Sequence, residues 1–331
     1  MSYDIIGDVH GHADKLVALL RAMGYEQDGE GWAHASRRAI FVGDLIDRGP
    51  GQLETLRIVR AMVERAGARA VMGNHEFNAI GWHTGHPDGQ GGYLRTREGR
   101  KGANNRAQHE AFLAEVAHDP LEHARWIGWF RTLPLWLDLP ELRVVHAVWH
   151  PGHMGVLAPR LGAGGCLTEP LLADAHRRGS DAFRAIEVLL KGVEVPLPAG
   201  EVFHDTSGAL RTEVRVRWWD RHATTLRRAA LLAPDLLPAI PDAPIDAEGV
   251  IGYDGDKPVF FGHYWLSGTP APLAERIACV DYSAGKGGPL VAYRWDGERV
   301  LRADRFVSSS SPSAGAVRRA RVGARDVSSV S

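Results

Sequence analysis

Cysteine is nearly absent from the 331-residue chain, which has only Cys166 and Cys279. Two thiols cannot build the framework of a disulfide-stapled domain, and neither falls inside the polar clusters described below, which argues against a thiolate metal site. A long apolar run is absent as well. No stretch approaches the ~20 residues that a helix needs to cross a bilayer. The first strand-like segment starts at Tyr3, leaving no room ahead of it for a signal peptide. A reducing cytoplasm is therefore the expected location. Net charge is lacking too, at −1 from 39 Lys and Arg against 40 Asp and Glu. That balance gives no support for a protein that coats nucleic acid, and no stable nucleic-acid or membrane partner is expected, although a nucleotide substrate stays open. Beyond Ser308 there are no aromatic residues, serine is frequent, and Arg318, Arg319, Arg321 and Arg325 face only Asp326. Such a segment cannot bury enough apolar surface to offset the entropy of ordering it, so residues 307–331 are predicted to form a disordered tail.

Hydrophobic residues make up 44% of the chain, ample for a core. Five short polar clusters follow one another along it: Gly7-Asp8-Val9-His10-Gly11, Gly43-Asp44-Leu45-Ile46-Asp47-Arg48-Gly49, Gly73-Asn74-His75-Glu76, His146, and Gly262-His263. The first three each follow an apolar stretch of strand type, at 3–6, 39–42 and 68–72, and precede a plausible helix. Leu16, Leu19, Leu20 and Met23 fall on one helical face after the first cluster, as do Leu53, Leu56, Val59 and Val63 after the second. The opening reads strand, helix, strand, helix, strand, with polar residues at strand ends, where open α/β sheets place ligand sites.

The inventory of carboxylates, imidazoles, an amide and a guanidinium suits two divalent metals beside a phosphate. Asp8 and His10 flank Val9, so an extended segment would aim both at one metal. Asp44 has two oxygens and can bridge to a second metal, completed by Asn74, His146 and His263. Mixed oxygen and imidazole ligands suit Mn, Fe or Zn better than Ca; two divalent ions, with Mn the first choice and Fe, Zn, Ni or Co as alternatives, are the expected cofactors. Such a pair can bring the pKa of a shared water from ~15.7 toward neutrality, giving a hydroxide that attacks phosphorus in line. His75 lies next to a ligand without being needed as one, so it is the candidate general acid. Asp47 would orient it, and Arg48 offers a planar fork for phosphate oxygens.

The motifs GDVHG, GDLIDRG and GNHE, in this order near the N-terminus, resemble the phosphoprotein phosphatase family of the calcineurin-like metallophosphoesterase superfamily, most of all its bacterial and phage-type members. The match is close over residues 1 to about 80 and continues as islands at His146-Ala147 and Gly262-His263. Trp219-Asp220-Arg221 resembles a segment that supplies a second phosphate-binding arginine, which makes Arg221 the candidate. The resemblance implies an α/β fold of two packed mixed β-sheets flanked by helices. It also implies hydrolysis of phosphomonoesters, including phosphoserine or phosphothreonine in proteins, with a phosphorylated protein or a small phosphoester or nucleotide as partner. The alternative is a dinucleoside polyphosphate hydrolase, since symmetrical diadenosine tetraphosphatases resemble this N-terminal half too. Those enzymes commonly lack the Asp found here at Asp47 and end the third motif in His-Asp, which favours the phosphatase. A silent phosphate-binding module is the alternative of another class, and it predicts a lost ligand or acid, whereas every position is filled.

Residues 1–306 are expected to form one catalytic domain. Insertions at about 85–135 and 152–250 carry helix-like stretches at 108–117, 121–130, 181–190 and 224–232, and are expected to form a helical cap that chooses the substrate. Trp126, Trp129 and Trp218 are read as core of those insertions. His83, His86, His150 and His153 lie in Gly- and Pro-rich stretches and are read as rim residues of loops. Arg95, Arg97, Arg100, Lys101 and Arg106 are read as a solvated basic face.

Overall fold

The computed structural model describes residues 1–87, 91–205, 208–245 and 251–310. Two mixed sheets form its centre. The first contains β1 (Ser2–Ile6), β2 (Arg37–Phe41), β3 (Arg69–Ala70), β10 (Val291–Trp295) and β11 (Phe306–Ser308), in the order β11-β10-β1-β2-β3. Here β1, β2 and β3 run parallel, while β10 is antiparallel to both β1 and β11. The second contains β4 (Trp136–Asp138), β5 (Arg143–Val145), β8 (Val259–Phe261) and β9 (Ile277–Cys279), in the order β9-β8-β5-β4, with β5, β8 and β9 parallel.

Alternation along the strands sets the layers, because successive side chains point to opposite faces. Ile5, Ile40 and Tyr293 of the first sheet meet Val144, Phe260 and Ala278 of the second in one buried cluster. Ile6 and Phe41, one residue on, instead join the cluster formed with α1 (Ala13–Met23) and α2 (Gln52–Arg65). The faces read from periodicity are those that bury, with Leu16, Leu19, Leu20 and Met23 on α1 and Leu53, Leu56 and Val59 on α2; Val63 is half-buried and Met62 is buried next to it. Each such apolar side chain contributes about 1.5–3 kcal/mol through burial. The expected fold of two mixed sheets flanked by helices is the one observed.

The chain enters α3 (Asn74–His83) directly after the third motif. The first insertion then forms α4 (Gly99–Val116) and α5 (Pro120–Phe130), with α4 starting nine residues before the expected helix. The second contains α6 (Pro151–Leu157), α7 (Glu169–His176) and α8 (Asp181–Lys191). After α8 the expected helical cap gives way to hairpins: β6 (Glu194–Pro196) pairs with β7 (Glu213–Arg215), and Phe203–His204 with Leu210–Arg211. Pro196, Pro198 and Gly200 disfavour a helix there, and the alternating Val193, Val195, Val214 and Val216 suit strands. The helix expected at 224–232 shrinks to Leu226–Ala229, because Ala230 bridges Val216. Trp126, Trp129 and Trp218 are buried core residues. Strand β11 extends to Ser308, past the start expected for the tail, and residues 311–331 of that tail lie outside the described residues.

One buried charge ties the first sheet together. Asp4, fully buried on β1, accepts from Arg37 Nε at 2.8 Å and Arg294 Nε at 3.1 Å, and Arg37 also donates to the Tyr3 and Trp295 carbonyls. Removing one partner of a buried pair leaves an uncompensated charge. Arg37→Met is therefore expected to lower unfolding free energy by about 3 kcal/mol, read from the urea midpoint, with part of the loss recovered when Asp4→Asn is added. A midpoint unchanged by Arg37→Met would show that Arg294 alone satisfies Asp4.

Candidate metal centre

Every polar cluster lies where a parallel strand ends. Gly7–His10 follow β1, Asp44–Arg48 follow β2 and Asn74 follows β3 in the first sheet. His146 follows β5 and His263 follows β8 in the second. The two sheets thus deliver their carboxyl ends to one place, as α/β sheets do at ligand sites. The turns are tight. Seven non-glycine residues have positive φ among the described residues: His10, Asp44, Asp47, Arg48, His263, Trp265 and Ser283. All belong to these junctions or the loops beside them, and such conformations persist only where surrounding contacts over-determine them. His10, at φ 49°, corrects the expectation of an extended Asp8-Val9-His10 segment. A turn aims its imidazole instead.

Two groups of His and Asp atoms placed so that each could hold a metal ion share Asp44. His10, Asp44 and His75 form one, and Asp44, His146 and His263 the other, with the atoms of each group within 4.8 Å of one another. In the first, Asp44 Oδ2 is 3.7 Å from His10 Nε2 and 3.9 Å from His75 Nε2. In the second, Asp44 Oδ1 is 3.4 Å from His146 Nε2. Asn74 Oδ1 joins this group at 3.1 Å from His146 Nε2 and 2.8 Å from His263 Nδ1. Asp8 is adjacent: its Oδ2 accepts from the His263 amide at 2.9 Å, while its buried Oδ1 has no hydrogen-bond partner. Gly262 permits this approach, because a Cβ there would lie 1.9 Å from Asp8 Oδ1.

The donor set fits divalent cations. His10 Nδ1 donates to the Ile46 carbonyl at 2.9 Å and His146 Nδ1 to the Val42 carbonyl at 2.8 Å. In the neutral rings these bonds leave both Nε2 lone pairs facing the cluster, the tautomer a metal requires. His10 Nε2 is buried without a partner. Burial, with the nearby His75, brings the His10 pKa down to about 4, and burial with Arg215 depresses that of His263, so both rings are neutral at ordinary pH. Around His146, the oxygens of Asn74 and Asp44 face a nitrogen lone pair. Positive charge must sit among them, either a metal or a proton on His146, whose pKa Asp44 raises against the effect of burial. The carboxylates show the same need. Burial and the neighbouring Asp281 and Asp44 push Asp8 well up, and burial and Asp44 raise Glu76 to about 7.

Glu76 is the residue whose role the sequence did not disclose. It is fully buried in the first turn of α3 and accepts three backbone N–H bonds, from Gly73 and Asp44 at 2.9 Å and from Leu45 at 2.8 Å. It caps its own helix and at the same time clamps the second motif to the third. The hydrogen bond from the His75 amide to Asp44 Oδ1, at 3.0 Å, fixes the same junction from the other side.

His75 Nδ1 donates to Asp47 Oδ2 at 2.6 Å, so its Nε2 faces the cluster. Burial opposes a charged ring there, but Asp44 and Asp47 outweigh it and raise the pKa. The other Asp47 oxygen accepts from His109 Nδ1 at 2.9 Å. Burial opposes ionisation of Asp47, yet the bonds from His109 and His75 bring its pKa down to about 2. His109 comes from α4 in the first insertion, 62 residues away in sequence. Arg48 is exposed at the mouth, close enough for its charge to act on His10.

Arg221 is not brought to this cluster. With Trp219 packed on Phe261 and Tyr264, the chain turns Arg221 into a cavity of about 770 Å³ whose lining includes Arg217, Tyr253 and Arg276 and none of the ligating residues. Arg215 on β7 is the arginine whose charge reaches His263. Among the expected rim histidines, His83 closes α3, and His150 caps α6 by accepting from the His153 amide. Arg97 of the basic stretch lies over the rings of Tyr93 and Trp82.

Residues 1–158 match the family model for calcineurin-like phosphoesterase, so the resemblance read from the three N-terminal motifs holds across that segment. An asymmetrical bis(5'-nucleosyl)-tetraphosphatase of Halalkalibacterium halodurans is 49% identical over 76 residues, 23% of this chain and 31% of the relative. A relative of the same name from Oceanobacillus iheyensis is 30% identical over 148 residues, 44% of this chain and 55% of the relative. A symmetrical bis(5'-nucleosyl)-tetraphosphatase of Aromatoleum aromaticum is 31% identical over 152 residues, 46% of each. The chain therefore spans between about a third and about half of the length of these curated relatives. Among solved structures, a protein serine/threonine phosphatase from Saccharomyces cerevisiae superposes with a TM-score of 0.48 at 12% identity, covering 94% of this chain and 80% of that one. No helix among the described residues is long and apolar enough to cross a membrane.

Glu76→Gln places an amide NH₂ against backbone N–H groups and loosens both ligand-bearing loops. Partners of this outer kind typically alter metal affinity about 10- to 100-fold. Calorimetric titration with Mn is expected to show weakening in that range, with circular dichroism confirming an intact fold. Affinity equal to that of the parent would remove Glu76 as the strut.

Proposed function

We propose that the chain is a divalent-metal-dependent hydrolase of phosphoester bonds, a reading carried by one observation: two groups of atoms able to hold a metal share Asp44, and one of them includes His75, whose ring also bonds Asp47. In this reading Asp8, His10 and Asp44 hold one ion, and Asp44, Asn74, His146 and His263 the other. When bound, the ions supply Lewis-acid charge at the phosphoryl oxygens and make water a nucleophile near neutral pH. Mn is the first candidate, and the family match with the His/Asp groups supports divalent ions as a class.

The protein's own groups do the rest. Arg48 binds the phosphoryl oxygens through its permanently charged fork. His75 delivers a proton from Nε2 to the departing oxygen while Asp47, on Nδ1, fixes the ring and stabilises its charged form. His109 holds the second oxygen of Asp47, so the carboxylate cannot rotate away from His75. It is a positioning residue supplied by the insertion.

Phosphomonoesters, including phosphoserine or phosphothreonine, are the first substrate reading, since Asp47 favours the protonated His75 that an alkoxide leaving group needs. Dinucleoside polyphosphates are the second, supported by the names of the relatives that match the N-terminal half. Metal-stripped protein resupplied with Mn, assayed on p-nitrophenyl phosphate, a phosphoserine peptide and diadenosine tetraphosphate, separates them. No turnover of any with Mn, Zn, Fe, Ni or Co would overturn the hydrolase reading in favour of a silent binding module. Asp44→Asn is expected to abolish activity, and full retention would exclude Asp44 as the shared ligand.

His75→Asn should slow alkoxide-leaving esters by about 10²- to 10⁴-fold and p-nitrophenyl phosphate much less, because nitrophenolate leaves without protonation. His109→Ala should show the same leaving-group bias at smaller size, and His109→Asn, which keeps a donor near the Nδ1 position, should restore most of it. Equal losses on both esters, or no recovery with Asn, would make His109 a packing residue only.

A further inference from the structure

Beside the cluster, the loop after β9 carries a second cation that neither the motifs nor the matched family segment includes. Trp265 stacks on His10 with ring centroids 5.2 Å apart and a 21° interplanar angle. The Arg48 guanidinium lies 5.8 Å from the centroid of the Trp265 ring, and the Lys286 ammonium 4.1 Å from it. Both cations are exposed, and neither has a carboxylate partner among the described residues. Two unpaired positive charges thus meet on one indole, against a ring that would hold metal.

The surroundings fix this geometry. Asp281, buried beneath the loop, accepts from the Trp265 amide at 2.7 Å and the Ser283 amide at 2.9 Å. Ser283 Oγ donates to the Leu266 carbonyl at 3.0 Å, joining the segment that holds Trp265 to the one that holds Lys286. Lys15 of α1 donates to the Ala284 and Gly288 carbonyls at 2.7 and 2.9 Å, so the turn bearing Lys286 is tied at both ends. A lysine on a pinned loop loses less freedom on binding than one on a free loop. Cation–π contact with Trp265 holds its stem while leaving N–H donors for a ligand.

We propose that Lys286 is an anion-binding residue of the mouth, forming with Arg48 and Trp265 a subsite for the charged group next to the reacting phosphoryl, and that the ligand class it selects is an oligophosphate chain. The proposal rests on the phosphoesterase reading and deepens it: Arg48 takes the reacting phosphoryl, and Lys286 takes the next phosphate, where a simple alkyl ester has nothing to offer.

The test compares ligands that differ in the number of phosphates. Equilibrium binding of inorganic tripolyphosphate and of orthophosphate is measured by calorimetry, with and without Mn, for the parent chain, Lys286→Ala and Lys286→Arg. Lys286→Ala is expected to weaken tripolyphosphate about tenfold more than orthophosphate, the scale of one charge-assisted hydrogen bond. Lys286→Arg is expected to retain most of the affinity, and the difference should shrink in 0.5 M salt, roughly as screening requires. In turnover, the loss on diadenosine tetraphosphate should exceed that on p-nitrophenyl phosphate by a similar factor and appear in KM. Equal losses for both phosphates, or none, overturn the subsite, as does a Lys286-dependent preference for a phosphoserine peptide with acidic neighbours over tripolyphosphate. A parent chain that hydrolyses nothing fails the phosphoesterase reading alone, since the binding comparison still judges Lys286.

Discussion

Four carboxylates, Asp8, Asp44, Glu76 and Asp281, are buried side by side, and the rest of the site exists to tolerate them. An isolated buried anion is costly, and several together raise one another's pKa. Backbone amides reach all four: Glu76 accepts three, Asp281 accepts those of Trp265 and Ser283, Asp44 that of His75 and Asp8 that of His263. Asp44 also faces the ring nitrogens of His10, His75 and His146, and Asp8 keeps one buried oxygen without a hydrogen-bond partner, so cations are the missing counterpart. The same constraint explains the shape of the backbone. Carboxylates can converge this closely only if loops from two sheets turn within a residue or two of their strands, and the residues with positive φ mark those turns.

Convergence from two sheets also separates the functions. The first sheet supplies Asp8, His10, Asp44, Asn74 and His75, the proposed acid, through three parallel strands and their short connections. The second supplies only His146 and His263. A ligand set divided in this way ties the packing between the sheets, where Ile5 and Ile40 meet Val144 and Phe260, to the positions of the ligands. Loss of inter-sheet packing would therefore disturb the shared Asp44 before it disturbed either sheet alone.

How far the chain could be read beforehand follows the range of each interaction. Strand, glycine, polar residue and helix succeed one another locally in the first 80 residues, so the order of the central strands and helices there is legible, though not the small antiparallel pair Glu26–Asp28 and Gly31–Ala33 between them. His146 and His263 were legible because each follows an apolar strand. Glu76 was visible as a residue but not as a clamp, since two of its three partners lie 31 and 32 positions away. His109 gave no signal, because one histidine in an insertion helix has no local feature that pairs it with Asp47. Arg221 was expected at the site by analogy of sequence, yet Trp219 packing directs it elsewhere. The hairpins after α8 leave little trace in the sequence, because short Val-rich pairs between prolines carry little periodicity.

The pairing of Asp47 with His109 bears on what the insertions are for. A covering segment that only walled the site could be attached anywhere on the rim. Helix α4 instead reaches inward with His109, 5% exposed, and bonds the carboxylate that holds His75. Whatever shifts α4 must then either break that bond or carry Asp47 with it. Asp47 holds His75 at 2.6 Å, so the insertion is linked to His75 through this one carboxylate.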